Sequence, residues 1–182
     1  MRRWRTITSS VPILYTSQEQ VDVYRFSLPT AIIVPLLAIF LQAFLPLRFP
    51  FLAMFDLPLL VVVFFAIARR SQIAGLLTGA AIGLLQDSLT HQAIGVYGIA
   101  KTVVGFGASS LGAKIDVDNL GARFLGTVFF YMLHEVVYFV VARGMVQLSL
   151  QWSWRHELLS GLANGFLAVA LFAVLDRLKQ RT

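Results

Sequence analysis

The chain has 182 residues, of which 58% are hydrophobic and 13% charged, and its mean hydropathy is +0.76. Soluble domains carry about 25% charged residues, so this balance excludes a water-exposed globular surface, and so apolar a chain is not intrinsically disordered either. Cysteine is absent, which removes any disulfide framework, thiolate nucleophile or cysteine-built metal site, and the net charge of +6 is explained below without nucleic acid.

Residues 1–27 read as a cytoplasmic tail or as a segment lying on the membrane surface. Residues 6–20 are polar and broken by Pro12, unlike the apolar core of about 7–15 residues in a cleavable signal. Val11, Leu14, Val21, Val23 and Phe26 supply the apolar side of the surface-lying alternative.

Residues 28–178 carry six apolar runs: 28–45, 51–68, 72–85, 96–111, 124–141 and 158–175, followed by a short tail at 179–182. A spanning helix takes about 20 residues. Backbone amides in hydrocarbon must bond within their own segment, so the runs predict helices. The stretch 59–67 does not alternate, which excludes a transmembrane barrel. The expected fold is thus all-α, an integral membrane bundle of six helices. The third run is shorter than about 18 residues, and a half-buried or re-entrant segment is its alternative.

Lys and Arg fix the expected orientation. Arg2, Arg3, Arg5 and Arg25, the pair Arg69 and Arg70, Lys114 and Arg123, and Arg177, Lys179 and Arg181 share one side, against Arg48, Arg143 and Arg155 on the other. The excess places both termini in the cytoplasm and accounts for the basic balance. On the far side, Trp152 and Trp154 suit an interfacial belt.

Gly75, Gly79 and Gly83 recur at helical spacing in the third run, Gly161 and Gly165 in the sixth, and Ala108 and Gly112 near the end of the fourth. Such small-residue stripes let helices approach closely in lipid. They serve either packing within this chain or a seat for a partner's helix.

Ionisable groups in spans are expensive and mark candidate sites. Asp56, Asp87, Lys101, His134 and Glu135 lie in or near the apolar runs, all toward the outer side. Lys101 and Glu135 are each about 9–10 Å below the outer boundary at ~1.5 Å per residue, which predicts an ion pair between them. The group is either a structural clamp or a polar cavity open to the outside for a ligand or partner segment.

Signatures of catalysis are poor. His134-Glu135 begins like a zinc-protease HExxH, but position 138 is Tyr138; His91, His134 and His156 lack metal-site spacing. Ser88 and Ser160 lie in no GxSxG, and the glycines Gly105 and Gly107 lack the third glycine and the strand of a dinucleotide site. No catalytic residue, metal or cofactor is assigned.

At the junction of the third and fourth runs the sequence reads Gly83-Leu84-Leu85-Gln86-Asp87-Ser88-Leu89, then Ala93-Ile94-Gly95-Val96-Tyr97-Gly98. This segment, with the small size and six spans, resembles the rod shape-determining protein MreD family, in which a G-L-x-x-D segment precedes a short loop and a glycine before the next helix. Gly83, Asp87 and Gly95 match that pattern. The resemblance implies a non-enzymatic component of the bacterial inner membrane that binds the MreC scaffold. Through MreC it implies links to the MreB filament, the RodA glycosyltransferase and a class B penicillin-binding transpeptidase. The same size and span number also resemble the substrate-binding S components of energy-coupling-factor vitamin transporters. Those carry an Ala-xxx-Ala face on the first helix. Here Ala31 is followed at that spacing by Pro35, and Ala38 by Gln42, so that face is missing.

Overall fold

A computed structural model describes residues 26–90, 92–112 and 119–178. The expectations for residues 1–25, His91, Lys114 and residues 179–182 fall outside the described residues. Among the described residues all regular structure is helical: α1 (Leu28–Arg48), α2 (Leu57–Arg69), α3 (Gln72–Leu89), α4 (Val96–Gly112), α5 (Leu120–Gly144) and α6 (Trp154–Leu175), with 3-10 turns at Pro50–Met54 and Asp176–Leu178. Among the described residues four helical stretches are long and apolar enough to cross a membrane: Leu28–Arg48, Pro50–Arg69, Leu120–Gly144 and Trp154–Leu178.

Local chemistry sets the helix ends. Ser27 Oγ accepts from Thr30 N, Ser71 Oγ from Ala74 N and Asn119 Oδ1 from Gly121 N, each satisfying a backbone N–H that the first turn leaves unpaired. Arg70 adopts a left-handed conformation (φ 52°) and ends α2, and Ser71 caps α3 immediately after it. The turn between α2 and α3 is therefore only two residues long.

α2 is the central helix. Leu59 through Ala66 are all buried, packed among Ile39 of α1, Ile82 of α3, Val104 and Ala108 of α4, Phe130 of α5 and Phe172 of α6. A helix apolar on every side is one surrounded by protein, which is why the run 59–67 shows no polar face.

α3 is one continuous helix to Leu89, a turn longer than the apolar run within it. The larger departure concerns the second run. It is not a single helix from residue 51: the 3-10 turn Pro50–Met54 is followed by extended Phe55, and regular helix begins only at Leu57. Asp56 caps α2 from within the span rather than standing at its outer edge.

The glycine stripe of α3 faces α4. A Cβ on Gly75 would meet Ser109 Oγ and the Gly105 carbonyl, one on Gly79 the Lys101 carbonyl, and one on Gly83 the Tyr97 carbonyl. Successive glycines meet α4 at successively earlier residues, the pattern of antiparallel helices in backbone contact. This chain fills its own seam, so the stripe is not a seat for a partner's helix. Gly161 and Gly165 likewise sit against α5, with Met132 Cε 2.7 Å and Phe124 Cε2 2.8 Å from where a Cβ would stand. Gly112 abuts the backbone of Ile67 in α2.

Candidate functional site

The break before α2 leaves backbone groups inside the bundle that regular helix would have paired. Neighbouring side chains take them up. Asn164 of α6 accepts from Asp56 N (2.9 Å) and donates to the carbonyls of Met54 (2.9 Å) and Ser160 (2.8 Å). Gln42 of α1 accepts from Leu57 N (3.1 Å), and Asp56 Oδ1 accepts from Leu59 N (2.9 Å). Irregular backbone at membrane depth is tolerated only where protein supplies such partners.

Asp56 also carries the charge that organises the interior. Its Oδ2 accepts from Lys101 Nζ at 2.5 Å. Lys101 is 0% exposed, and its ammonium lies 5.0 Å from the centre of the Tyr97 ring. The expected Lys101–Glu135 pair is therefore corrected: Lys101 pairs with Asp56, and Glu135 Oε1 is 3.1 Å from His134 Nδ1. The break in the second span is the physical reason, because it carries Asp56 inward to the level of Lys101.

His134, also 0% exposed, joins the two pairs, with Nε2 3.3 Å from Lys101 Nζ. An ammonium has no lone pair and must donate to Nε2, so the ring proton sits on Nδ1 and is donated to Glu135. The ring stacks parallel to Tyr97 at 5.9 Å, and Tyr97 stacks on Tyr138 at 4.8 Å. Asp56, Lys101, His134 and Glu135 thus form one connected cluster drawn from the start of α2, from α4 and from α5.

Asp87 is fully buried and belongs to a neighbouring arrangement. Its carboxylate accepts from Gly95 N (2.8 Å), Tyr97 N (3.0 Å) and Gly98 N (3.1 Å). It thereby ties the end of α3 to the start of α4 and sets the register that presents Tyr97 and Lys101. Gly95 turns the chain with φ +103°, a conformation that side chains oppose.

The cluster is largely enclosed: Lys101 and His134 are 0% exposed, and the side chains of Asp56 and Glu135 are 11% and 20% exposed. Leu148 and Leu150 of the segment after α5 fold back on the cluster of Val96, Val141 and Ala142, against which Val137 and Tyr138 also pack, and the Leu148 N–H donates to the Ala142 carbonyl at 3.0 Å. Trp152 packs edge to face against Phe139 and Trp154 beside this cover. A separate cleft of about 350 Å³ lies near the opposite end, lined by Ile67, Gly112, Gly126, Phe129 and Phe172, with Arg123 at its edge. No group of three or more His, Asp or Glu is placed to hold a metal ion among the described residues.

Sequence reasoning singled out the charged members but missed Asn164, Gln42 and Tyr97. Two signals pointed to the break: Pro58 two residues after an aspartate, and an amide at the middle of the sixth run.

Neither the curated proteins nor the solved structures contain a match to the chain. The family model described as rod shape-determining protein MreD matches residues 24–179, which takes in all six helices and both polar arrangements. On that match the chain belongs to the rod shape-determining protein MreD family.

Proposed function

We propose that this protein is a non-enzymatic component of the bacterial cell-elongation complex in the inner membrane. It binds the MreC scaffold and, through it, is linked to the MreB filament, the RodA glycosyltransferase and a class B penicillin-binding transpeptidase. By holding these together it helps to organise peptidoglycan synthesis and cell shape. Both termini face the cytoplasm, and membrane lipid surrounds the bundle.

The observation that carries this reading is the family match over residues 24–179. Two structural features support a binding role. The interior is filled by the chain's own ion pair, Lys101 on Asp56, where a transporter's binding component would need room for a ligand. The outward side of α1 is apolar and open, with Ile33, Leu37, Phe40 and Phe44 each more than half exposed. Within the membrane such a face meets lipid tails or the apolar side of a partner's helix. The S-component reading loses ground further because Ala38 of α1 is buried in the core and presents no docking face.

Purification in mild detergent followed by mass spectrometry tests the proposal. MreC should be recovered with the tagged protein. Recovery of ATPase and coupling subunits in its place, or vitamin uptake by vesicles containing the protein, would overturn it.

A further inference from the structure

We propose that the cleft beside Gly126 holds one acyl chain of an anionic phospholipid from the surrounding leaflet, with the lipid's phosphate against Arg70 and Arg177. The cleft arises where α4 ends and α5 begins. Gly112 brings the last turn of α4 onto the backbone of Ile67, which closes the inner wall. On α5, Ala122 and Gly126 are too small to fill the space opposite, and a Cβ on Gly126 would meet nothing within 4 Å. The result is a volume of about 350 Å³ walled by Ile67, Leu111, Phe129, Phe130 and Phe172.

That volume is at the small end of the range for binding pockets, about 300–1,000 Å³, and its wall is apolar, so it suits hydrocarbon and not a polar solute. A partner's helix, about 10–12 Å across, is too wide to enter it. Leu125 and Phe129 line the cleft and are also 67% and 55% exposed, so they mark its opening. In a chain that spans a membrane this opening faces lipid, and an acyl chain can enter sideways.

Charge selects the headgroup. At this end the described residues carry Arg69, Arg70, Arg123 and Arg177 against one carboxylate, Asp176, which Arg123 holds at 2.6 Å. The other described carboxylates, Asp56, Asp87, Glu135 and Glu157, lie toward the opposite end. Arg69 is engaged with the rings of Phe26 and Phe65. Arg70 stands two residues after Ala68 of the cleft wall, and its Nε–H is shielded from solvent with no acceptor among the described residues. Arg177 directly follows Asp176 and is exposed. A phosphate at the mouth supplies the acceptor that Arg70 lacks, in the manner of basic pockets between spanning helices. Hydrocarbon alone gives no preference, because the cleft wall and the bulk lipid are equally apolar. Retention therefore comes from the fit of the chain, and selectivity from the arginines.

Native mass spectrometry of the full chain, released from nanodiscs of equal parts phosphatidylglycerol and phosphatidylcholine, tests this. The chain should keep one phosphatidylglycerol, favoured about tenfold over phosphatidylcholine. G126L fills the cleft from the open space beside Gly126, and its retained phosphatidylglycerol should fall to the phosphatidylcholine level. R70Q/R177Q leaves the cleft and the Arg123–Asp176 bond in place, and should hold the two lipids equally. Should either variant fail to fold, the wild type answers in its place, with a diazirine in the acyl chain of each lipid. Phosphatidylglycerol should then label residues 124–143 more than phosphatidylcholine does, while both label residues 28–48 alike. No retained lipid, equal retention of the two by the wild type, an unchanged preference in either variant, or equal labelling of 124–143 overturns the proposal. So does a lipid-free dimer, which would set a second copy against the cleft.

Discussion

Lys101 and Asp56 are worth more as a pair than either is alone, because neither has water to turn to. Removing one partner of a buried ion pair strands the other charge, with a typical loss of about 3–5 kcal/mol. D56N keeps an oxygen that can cap α2, so its effect isolates the lost charge, and K101M keeps most of the side-chain volume. Each single variant should therefore unfold at markedly lower temperature, while the double variant should lose less than the sum of the two by about 1 kcal/mol or more. Thermal unfolding in one detergent measures all four proteins, and strictly additive losses would show that the contact carries no coupling. The charged members were legible in the sequence, since an ionised group inside an apolar run stands out on inspection. Their pairing was not. Depth counted along ideal helices placed Lys101 level with Glu135, and only the break before Leu57 brings Asp56 to the same level. Asn164 and Gln42 escaped notice because an amide in an apolar run looks unexceptional until an unpaired backbone group is found beside it.

The seam between α3 and α4 turns the same argument into backbone geometry. Gly79 lies directly against the Lys101 carbonyl, so G79A must push α4 away and move the lysine with it. Overpacking of this kind costs about 1–3 kcal/mol. Gly126 of α5 has nothing within 4 Å of where a Cβ would stand. G126A should therefore be harmless or stabilise the helix by up to about 1 kcal/mol. Melting temperatures of the two variants should move apart, and an equal drop in both would refute the close approach at Gly79. The break in the second span gives a sharper case. Replacing Asn164 with leucine leaves Asp56 N–H and the Met54 carbonyl unpaired, at about 1–3 kcal/mol for each buried group. N164L should lower stability more than G79A does, with hydrogen exchange rising first at residues 54–57. The four-residue spacing of Gly75, Gly79 and Gly83 was readable as a packing stripe, but its partner was not, because small residues record only that something comes close. The length of α3 was understated for a related reason: Gln86 and Asp87 end the apolar run, yet both are buried within the helix.

At the scale of the whole molecule, the contacts gather helix ends into two opposed sets. Arg69, at the end of α2, lies over the rings of Phe26 and Phe65, which brings the start of α1 to the end of α2. Gly112, ending α4, rests on Ile67, and Arg123 in the first turn of α5 bonds Asp176 just after α6 at 2.6 Å. The basic residues Arg69, Arg70, Arg123 and Arg177 therefore collect at one end of the bundle. The opposite end carries Arg48 and Arg143, the turn at Gly95 and the pair Trp152 and Trp154. This separation follows from the alternating direction of successive helices, which the sequence expressed as runs of apolar residues between charges. Because Lys and Arg are retained on the cytoplasmic side, the end with Arg69 and Arg123 should face inward. Alkaline phosphatase, which folds only outside the cytoplasm, gives the test. Fused after Gln147 it should be active, and fused after Leu178 or within the turn at Arg70 it should be inactive. Activity at Leu178 would invert the bundle. It would then turn the Asp56–Lys101–His134–Glu135 cluster, which lies nearer the Gly95 end, from the outer to the inner half of the membrane.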